Sequence, residues 1–200
     1  MKKLHIVVSP RGERSRSKKL GEYILSKMDG EKETLELNNE NIGFLTSSLI
    51  AYNYGYAKFE DLTTEEKRIA KLQDKFVKQI LSADEIIISS PIWNFSVPAI
   101  LKAYFDLILK INETVTMKDG ALIGLATNVK KAYIVLTKGG YYEGQAWKSI
   151  DMIEPLIRQD LAFIGITNLE VINWEGIDRV SDEENLKKFD ELKMQIDSKL

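Results

Sequence analysis

Short apolar runs alternate with amphipathic stretches along this whole chain, and a chain with that rhythm has few ways to fold. Apolar runs at residues 4–9, 34–37, 85–90, 132–137 and 169–174 have the length and composition of buried strands. Between them, apolar side chains recur at a helical period. Leu20, Tyr23, Ile24 and Lys27 share a face behind Ser17, the expected N-cap. Ile69, Leu72, Phe76 and Ile80 form a second stripe, introduced by Thr63 and Glu66 at capping-box spacing. Val97, Ile100, Leu101, Tyr104, Phe105 and Ile108 form a third. Ile153, Leu156, Ile157, Leu161 and Ile164 form a fourth, with Pro155 in its first turn and Gly165 as its stop. Leu186, Phe189 and Ile196 follow Ser181 and Glu184 in the last. Strands alternating with helices predict an α/β sandwich around a parallel sheet, with right-handed crossovers that place helices on both faces. No repeat or linker divides residues 1–200, so one domain is expected. Such sheets bind ligands beyond the carboxyl ends of their strands. The segments to read closely are therefore those after Ser9, Ser90 and Thr137.

Composition narrows the chemistry. The 200 residues include no cysteine and a single histidine, His5. That excludes a thiol nucleophile, a disulfide framework, a Cys-ligated metal and a multi-histidine metal site. A Ser-His-Asp triad would have to use His5, which lies inside an apolar run and reads as a packed strand residue. The net charge of −2 gives no reason to expect nucleic acid or an anionic membrane as partner. No apolar run is long enough to span a bilayer, and the first residues lack a signal-peptide pattern. A reducing cytoplasm is the expected location. An enzyme this poor in reactive side chains is expected to take its chemistry from a cofactor.

The three loops have distinct characters. The first, Ser9-Pro-Arg-Gly-Glu-Arg-Ser-Arg-Ser17, enters a helix and is rich in hydroxyls and cations. It reads either as a phosphate site at a helix N-terminus or as a capped, solvated basic loop. The dinucleotide G-x-G-x-x-G and P-loop patterns are absent. In the second, Pro91 and Pro98 bracket Ile92, Trp93, Asn94, Phe95 and Ser96. A rigid aromatic surface with one carboxamide suits a flat heteroaromatic ring, or else plugs the top of the core. The third, Thr137-Lys-Gly-Gly140, lets bare backbone approach a ligand, or simply turns.

Together these residues carry a resemblance that covers nearly the whole chain. Pro91-Ile-Trp-Asn-Phe95 followed by Leu101-Lys-Ala-Tyr-Phe-Asp106 resembles the Pro-Met-Tyr-Asn-Phe and Leu-Lys-x-Tyr-Phe-Asp patterns of the FMN-dependent NADH azoreductases. These belong with the flavodoxin-like NAD(P)H:quinone oxidoreductases. Thr137-Lys-Gly-Gly140, Phe163-Ile-Gly-Ile166 and Glu175-Gly176 also resemble family patterns. The resemblance implies a flavodoxin-like three-layer sandwich with a five-stranded parallel sheet in the order 2-1-3-4-5. It implies FMN, with Ser9, Ser15, Arg16 and Ser17 at the phosphate and ribityl oxygens. Ile92, Trp93, Asn94 and Phe95 would run along the isoalloxazine, with Thr137, Lys138, Gly139 and Gly140 on its other side. A homodimer with flavin sites at the subunit interface is also implied.

Three positions depart from the family. Trp93 stands where many relatives have tyrosine. Tyr142 stands where some have histidine, and Met117 where some place a phenylalanine over the flavin. Met117 and Tyr142 are therefore candidate substrate-pocket residues, with Tyr142 a candidate proton donor. The aromatic stretch 44–59, including Tyr52, Tyr54 and Tyr56, would line the substrate pocket or the dimer interface, or pack locally. The expected activity is ping-pong transfer of a hydride from NADH or NADPH, through FMN, to quinones or azo compounds, with no catalytic side chain required beyond the cofactor. The alternative is a flavodoxin-type electron carrier. Such carriers are usually smaller and strongly acidic, which the basic segment 11–19 does not match.

Overall fold

The computed structural model describes residues 1–199. Five strands form one parallel sheet: β1 (Lys2–Val7), β2 (Glu31–Glu36), β3 (Glu85–Pro91), β6 (Lys131–Thr137) and β7 (Leu169–Trp174). Their spatial order is β2-β1-β3-β6-β7, with every pairing parallel. Counted among the sheet strands alone, this is the expected 2-1-3-4-5. The helices are α1 (Arg16–Lys27), α2 (Ser47–Asn53), α3 (Thr64–Ser82), α4 (Ala99–Ile108), α5 (Ile153–Phe163) and α6 (Asp182–Asp197).

Period-two alternation along each strand explains the layers. Ile86 and Ile88 of β3, with Ala132, Ile134 and Leu136 of β6, face a core shared with α3, α4 and α5. The intervening Ile87, Tyr133 and Val135 face a second core, with Leu20 and Ile24 of α1 and Leu192 and Ile196 of α6. Both sides of the central strands are thus covered, and burying each large aliphatic side chain contributes about 1.5–3 kcal/mol. Thr63 and Ser181 cap α3 and α6 with full capping boxes to Glu66 and Glu184. Gly165, at φ +98°, ends α5.

The structure differs from the sequence reading in three places. Ser15, not Ser17, is the N-cap of α1; its Oγ accepts from the Lys18 N–H at 3.2 Å. The aromatic stretch 44–59, to which the sequence reading assigns no helix, contains α2, capped by Thr46. Residues between α4 and β6 form an antiparallel hairpin, β4 (Val115–Lys118) and β5 (Ala121–Gly124). Its turn holds Asp119 and Gly120 at φ +52° and +79°, the left-handed pair that two-residue hairpins require.

His5 is packed under α1. It is fully buried, and its Nε2 lies 2.7 Å from Ser89 Oγ of β3. Burial, reinforced by the Lys18 charge, lowers its pKa to about 4. The unfolded chain takes up this proton near pH 6.5, whereas the folded chain resists until about pH 4. Neutral His5 therefore contributes stability that is complete above pH 6.5 and is lost as the pH falls to the folded value. The loss is on the order of 3 kcal/mol. Urea unfolding at pH 7 and pH 4.5 should show it in the wild type and far less of it in His5→Gln. Equal acid sensitivity in both proteins would refute this role.

Candidate functional site

Four loops meet at the carboxyl edge of the sheet, around the point between β1 and β3 where the strand order reverses. After β1, the chain makes a single 3-10 turn, Gly12–Arg14, and enters α1. Ser15 and Ser17 are buried there with their hydroxyls 3.1 Å apart. The main-chain N–H groups of Arg16 and Ser17, in the first turn of α1, have no intrahelical acceptor. Arg16 pairs with Asp182 at 2.9 Å. Arg11 and Arg14 pair with no carboxylate among the described residues, so this corner presents free N–H donors, hydroxyls and two arginines outside any ion pair, with Asp178 the one acid in the cleft lining.

After β3, Trp93 and Ser96 exchange two backbone hydrogen bonds of 3.0 Å around Asn94 and Phe95. Both central residues are left-handed, at φ +47° and +68°. This tight turn, rather than the prolines alone, pushes Trp93 and Phe95 out beyond the sheet, where both are exposed. Phe95 stacks on Trp147 at 6.4 Å and meets Tyr142 edge-on at 6.3 Å.

After β6, the Gly139 and Gly140 N–H groups have no acceptor among the described residues, while both carbonyls are engaged. The acceptor side is taken by the loop after β7. Gly176 N–H donates to Gly140 O, Ile177 N–H to Lys138 O and Asp178 N–H to Gly139 O, at 3.0–3.1 Å. Gly176 is left-handed, and a Cβ there would strike the Tyr141 ring at 2.3 Å, so glycine is required for this close approach. The two loops are thereby laid against each other as one wall.

Lys138 anchors that wall from inside. Its ammonium is fully buried and bonded to Asp151 Oδ2 at 2.5 Å and Glu175 Oε1 at 3.0 Å. Glu175 Oε2 accepts the Tyr142 and Glu143 N–H groups at 2.8 and 3.0 Å. Despite the desolvation that opposes it, these donors hold the Glu175 carboxyl below the usual range. The Lys138 side chain is thus committed to two acids, and the position lines the cleft through its backbone.

Two adjoining cavities result. A cleft of about 150 Å³ is lined by Ser9, Ser15 and Arg16, by Ile92 and Trp93, and by Thr137, Lys138 and Gly139. Arg11, Arg14, Pro91, Ile177 and Asp178 complete it. Beside it, a pocket of about 460 Å³ is lined by Phe95, Gly140 and Tyr142, joined by Tyr141, Gln145, Trp147 and Arg179. Ser17 and Asn94 line neither cavity; Ser17 touches the cleft's Ser15, and Asn94 sits on the exposed turn tip. Met117 lies on β4, exposed, and lines neither.

The donor set fits FMN. A phosphate suits free N–H groups, serines and arginines at a helix N-terminus. A flat ring with polar edges suits Trp93, Phe95 and the unused Gly139 and Gly140 donors.

Fold and site together define a doubly wound α/β protein with a ligand edge for a phosphorylated, flat cofactor. Comparison with known proteins agrees and goes further. A family model described as "Flavodoxin-like fold" matches residues 1–200. A protein of Beijerinckia indica named "FMN-dependent NADH:quinone oxidoreductase" is 32% identical over 177 residues, covering 87% of each chain. Another, "FMN-dependent NADH:quinone oxidoreductase 1" of Idiomarina loihiensis, is 32% identical over 198 residues, covering 99% of this chain and all of the relative. The crystal structure of an azoreductase from Bacillus anthracis superposes with a TM-score of 0.84 at 25% identity, covering 99% of this chain and all of that one. The chain therefore belongs to the flavodoxin-like family of FMN-dependent NADH:quinone oxidoreductases and azoreductases.

Proposed function

We propose that this chain is an FMN-dependent NAD(P)H oxidoreductase acting on quinones and azo compounds. The observation that carries this reading is the pair of adjoining cavities, one with a phosphate cradle and one walled by aromatic rings, at the switch point of the sheet. Ser9, Ser15, Arg16 and Ser17 would hold the phosphate end, with Arg11 and Arg14 adding charge. Ile92, Trp93, Asn94 and Phe95 would bound one side of the ring, and Thr137, Lys138, Gly139 and Gly140 the other. The chemistry that FMN supplies when bound is two-electron transfer from NADH or NADPH to a quinone or azo compound, in a ping-pong cycle.

The protein's part is binding and orientation. The free Gly139 and Gly140 N–H groups would offer fixed dipoles to a polar edge of the ring when FMN is bound. Phe95, Tyr142 and Trp147 form an apolar slot that takes flat donors and acceptors in turn. Tyr142 is the candidate for proton delivery there, beside Tyr141, the other hydroxyl in the pocket lining, and Tyr142→Phe with full turnover and an unchanged pH profile would remove it. Met117, which lines neither cavity of the single chain, would be a pocket residue if a second chain brought it across. Exposed apolar side chains, among them Phe44, Tyr56, Met117 and Leu122, support a homodimer that would do this. Residues 1–200 would act as one FMN domain. Among the described residues no helix is long and apolar enough to cross a membrane. The absence of cysteine supports a cytoplasmic enzyme.

Purified protein should show a flavin absorbance band and sediment at about twice the chain mass. Anaerobic NADH or NADPH should bleach the band, and menadione or methyl red should restore it. Protein that stays colourless and takes up no added FMN overturns the reading. A yellow protein that neither nucleotide bleaches is a carrier instead.

A further inference from the structure

The chain has six arginines. Arg16, Arg68 and Arg158 pair with Asp182, Glu65 and Glu154. Arg11, Arg14 and Arg179 have no carboxylate within ion-pair distance among the described residues, and all three line the cavities at the sheet edge. Arg11 and Arg14 belong to the phosphate corner. Arg179 lines the other cavity, the aromatic pocket, and not the cleft lined by Arg11 and Arg14.

We infer that Arg179 recognises an anionic substituent, a carboxylate or a sulfonate, carried on the ring of a flat aromatic electron acceptor. That the bound molecule is then reduced rests on the function proposed above; the recognition of the anion does not. Three features carry the inference. The first is placement. Arg179 N–H donates to Gly176 O at 2.9 Å, in the same loop that is bonded to residues 138–140, so its backbone is fixed relative to the pocket wall. The second is charge. The pocket lining includes no acid. Of the acids nearest in sequence or across the loops, Glu143 pairs with Lys148 at 2.8 Å, and Glu175 is held by Lys138 and two N–H groups. The Asp178 carboxylate lies against Gly139, lining the other cavity. A guanidinium in such a pocket is a planar fork suited to two parallel hydrogen bonds to a carboxylate or sulfonate.

The third feature is size. About 460 Å³ lies within the range of small-molecule sites and takes a compound of one or two rings. With Arg179 in the lining itself, an anion attached directly to a ring held in the pocket lies within its reach. Phe95, Tyr142 and Trp147 supply the faces, and Gln145 a neutral polar edge.

Two measurements on the FMN-loaded protein test this. Naphthalene-2-sulfonate cannot be reduced here, and its binding should quench tryptophan fluorescence through Trp147. Arg179→Gln should weaken that binding about tenfold, Arg179→Lys should recover part of it, and neutral naphthalene-2-sulfonamide should bind all three proteins alike. In turnover, Arg179→Gln should lower kcat/KM for methyl red about tenfold, mainly through KM, and leave methyl red methyl ester within twofold. Flavin absorbance and the anaerobic rate of bleaching by NADH should not change. Equal losses for the acid and the ester, unchanged sulfonate binding, or a slower NADH step would overturn the assignment. If sulfonate binding follows Arg179 but the wild type reduces neither dye, the anion site stands and the proposed activity falls.

Discussion

Replacing Lys138 with methionine should cost the fold about 3–5 kcal/mol, among the largest effects available to a single side chain here. The reason is that its partners stay behind. Asp151 and Glu175 face the ammonium at 2.5 and 3.0 Å, and Asp151 Oδ1 is buried with no other partner among the described residues. Without the cation, two carboxylates share a dry site. The double variant Lys138→Met, Asp151→Leu should regain most of the loss, because replacing a buried pair with apolar groups is far less costly than breaking it. Urea unfolding of the two variants and the wild type measures this directly. If the single variant matches the wild type, the cluster contributes nothing to the fold. Activity should fall with the single variant as well, since the same cluster ties residues 142–143, next to the aromatic pocket, to the loop after β7.

Gly21→Ala should be nearly as damaging, by about 3 kcal/mol or somewhat more, at the upper end of what overpacking costs. A Cβ at this position would lie 2.1 Å from Ser89 Oγ and 2.4 Å from His5 Nε2. Neither neighbour has room to yield, since His5 and Ser89 are wholly buried. The helix itself has to lift. Because α1 begins at the corner proposed to hold the phosphate, lifting it should also displace the Arg16 and Ser17 N–H groups and weaken FMN retention. Thermal unfolding and FMN titration of the variant should move together. A loss of stability with unchanged FMN affinity would show that the N-terminal turn of α1 is positioned independently of its middle.

Much of the architecture was legible because it rests on local, periodic signals. The sheet strands announced themselves as apolar runs, and the capping boxes at Thr63–Glu66 and Ser181–Glu184 marked two helix starts. The parallel layout then directed attention to the loops after Ser9, Ser90 and Thr137, and residues from all three line one cleft, while Phe95 and Gly140 line the second pocket and Ser17 and Asn94 line neither. What stayed hidden has physical reasons. Ser15 and Ser17 are two residues apart and both carry hydroxyls, so sequence alone does not say which one caps α1. Asp119-Gly120 is a hairpin signal, but its strands have four residues each, too few to stand out as a pattern. Trp147 lies in a short 3-10 helix, Ala146–Ile150, and Arg179 in the loop after β7, and neither segment carries a period that the sequence could show. Arg179 could have been found by one further step of the same reasoning, since the loop after Trp174 lies at the same sheet edge as the other three. The left-handed backbone at Phe95 had no signal at all, because phenylalanine is an improbable residue for it.

That improbability has a meaning for anyone who would engineer this protein. Holding Asn94 and Phe95 in left-handed conformations costs about 1 kcal/mol or more at the non-glycine aromatic. Glycine at position 95 would relieve the cost, so a search for heat tolerance would be drawn to it. The same change would erase the ring that stacks on Trp147 and walls the aromatic pocket. The turn is a place where durability and usefulness pull in opposite directions, and the natural residue sits on the side of usefulness.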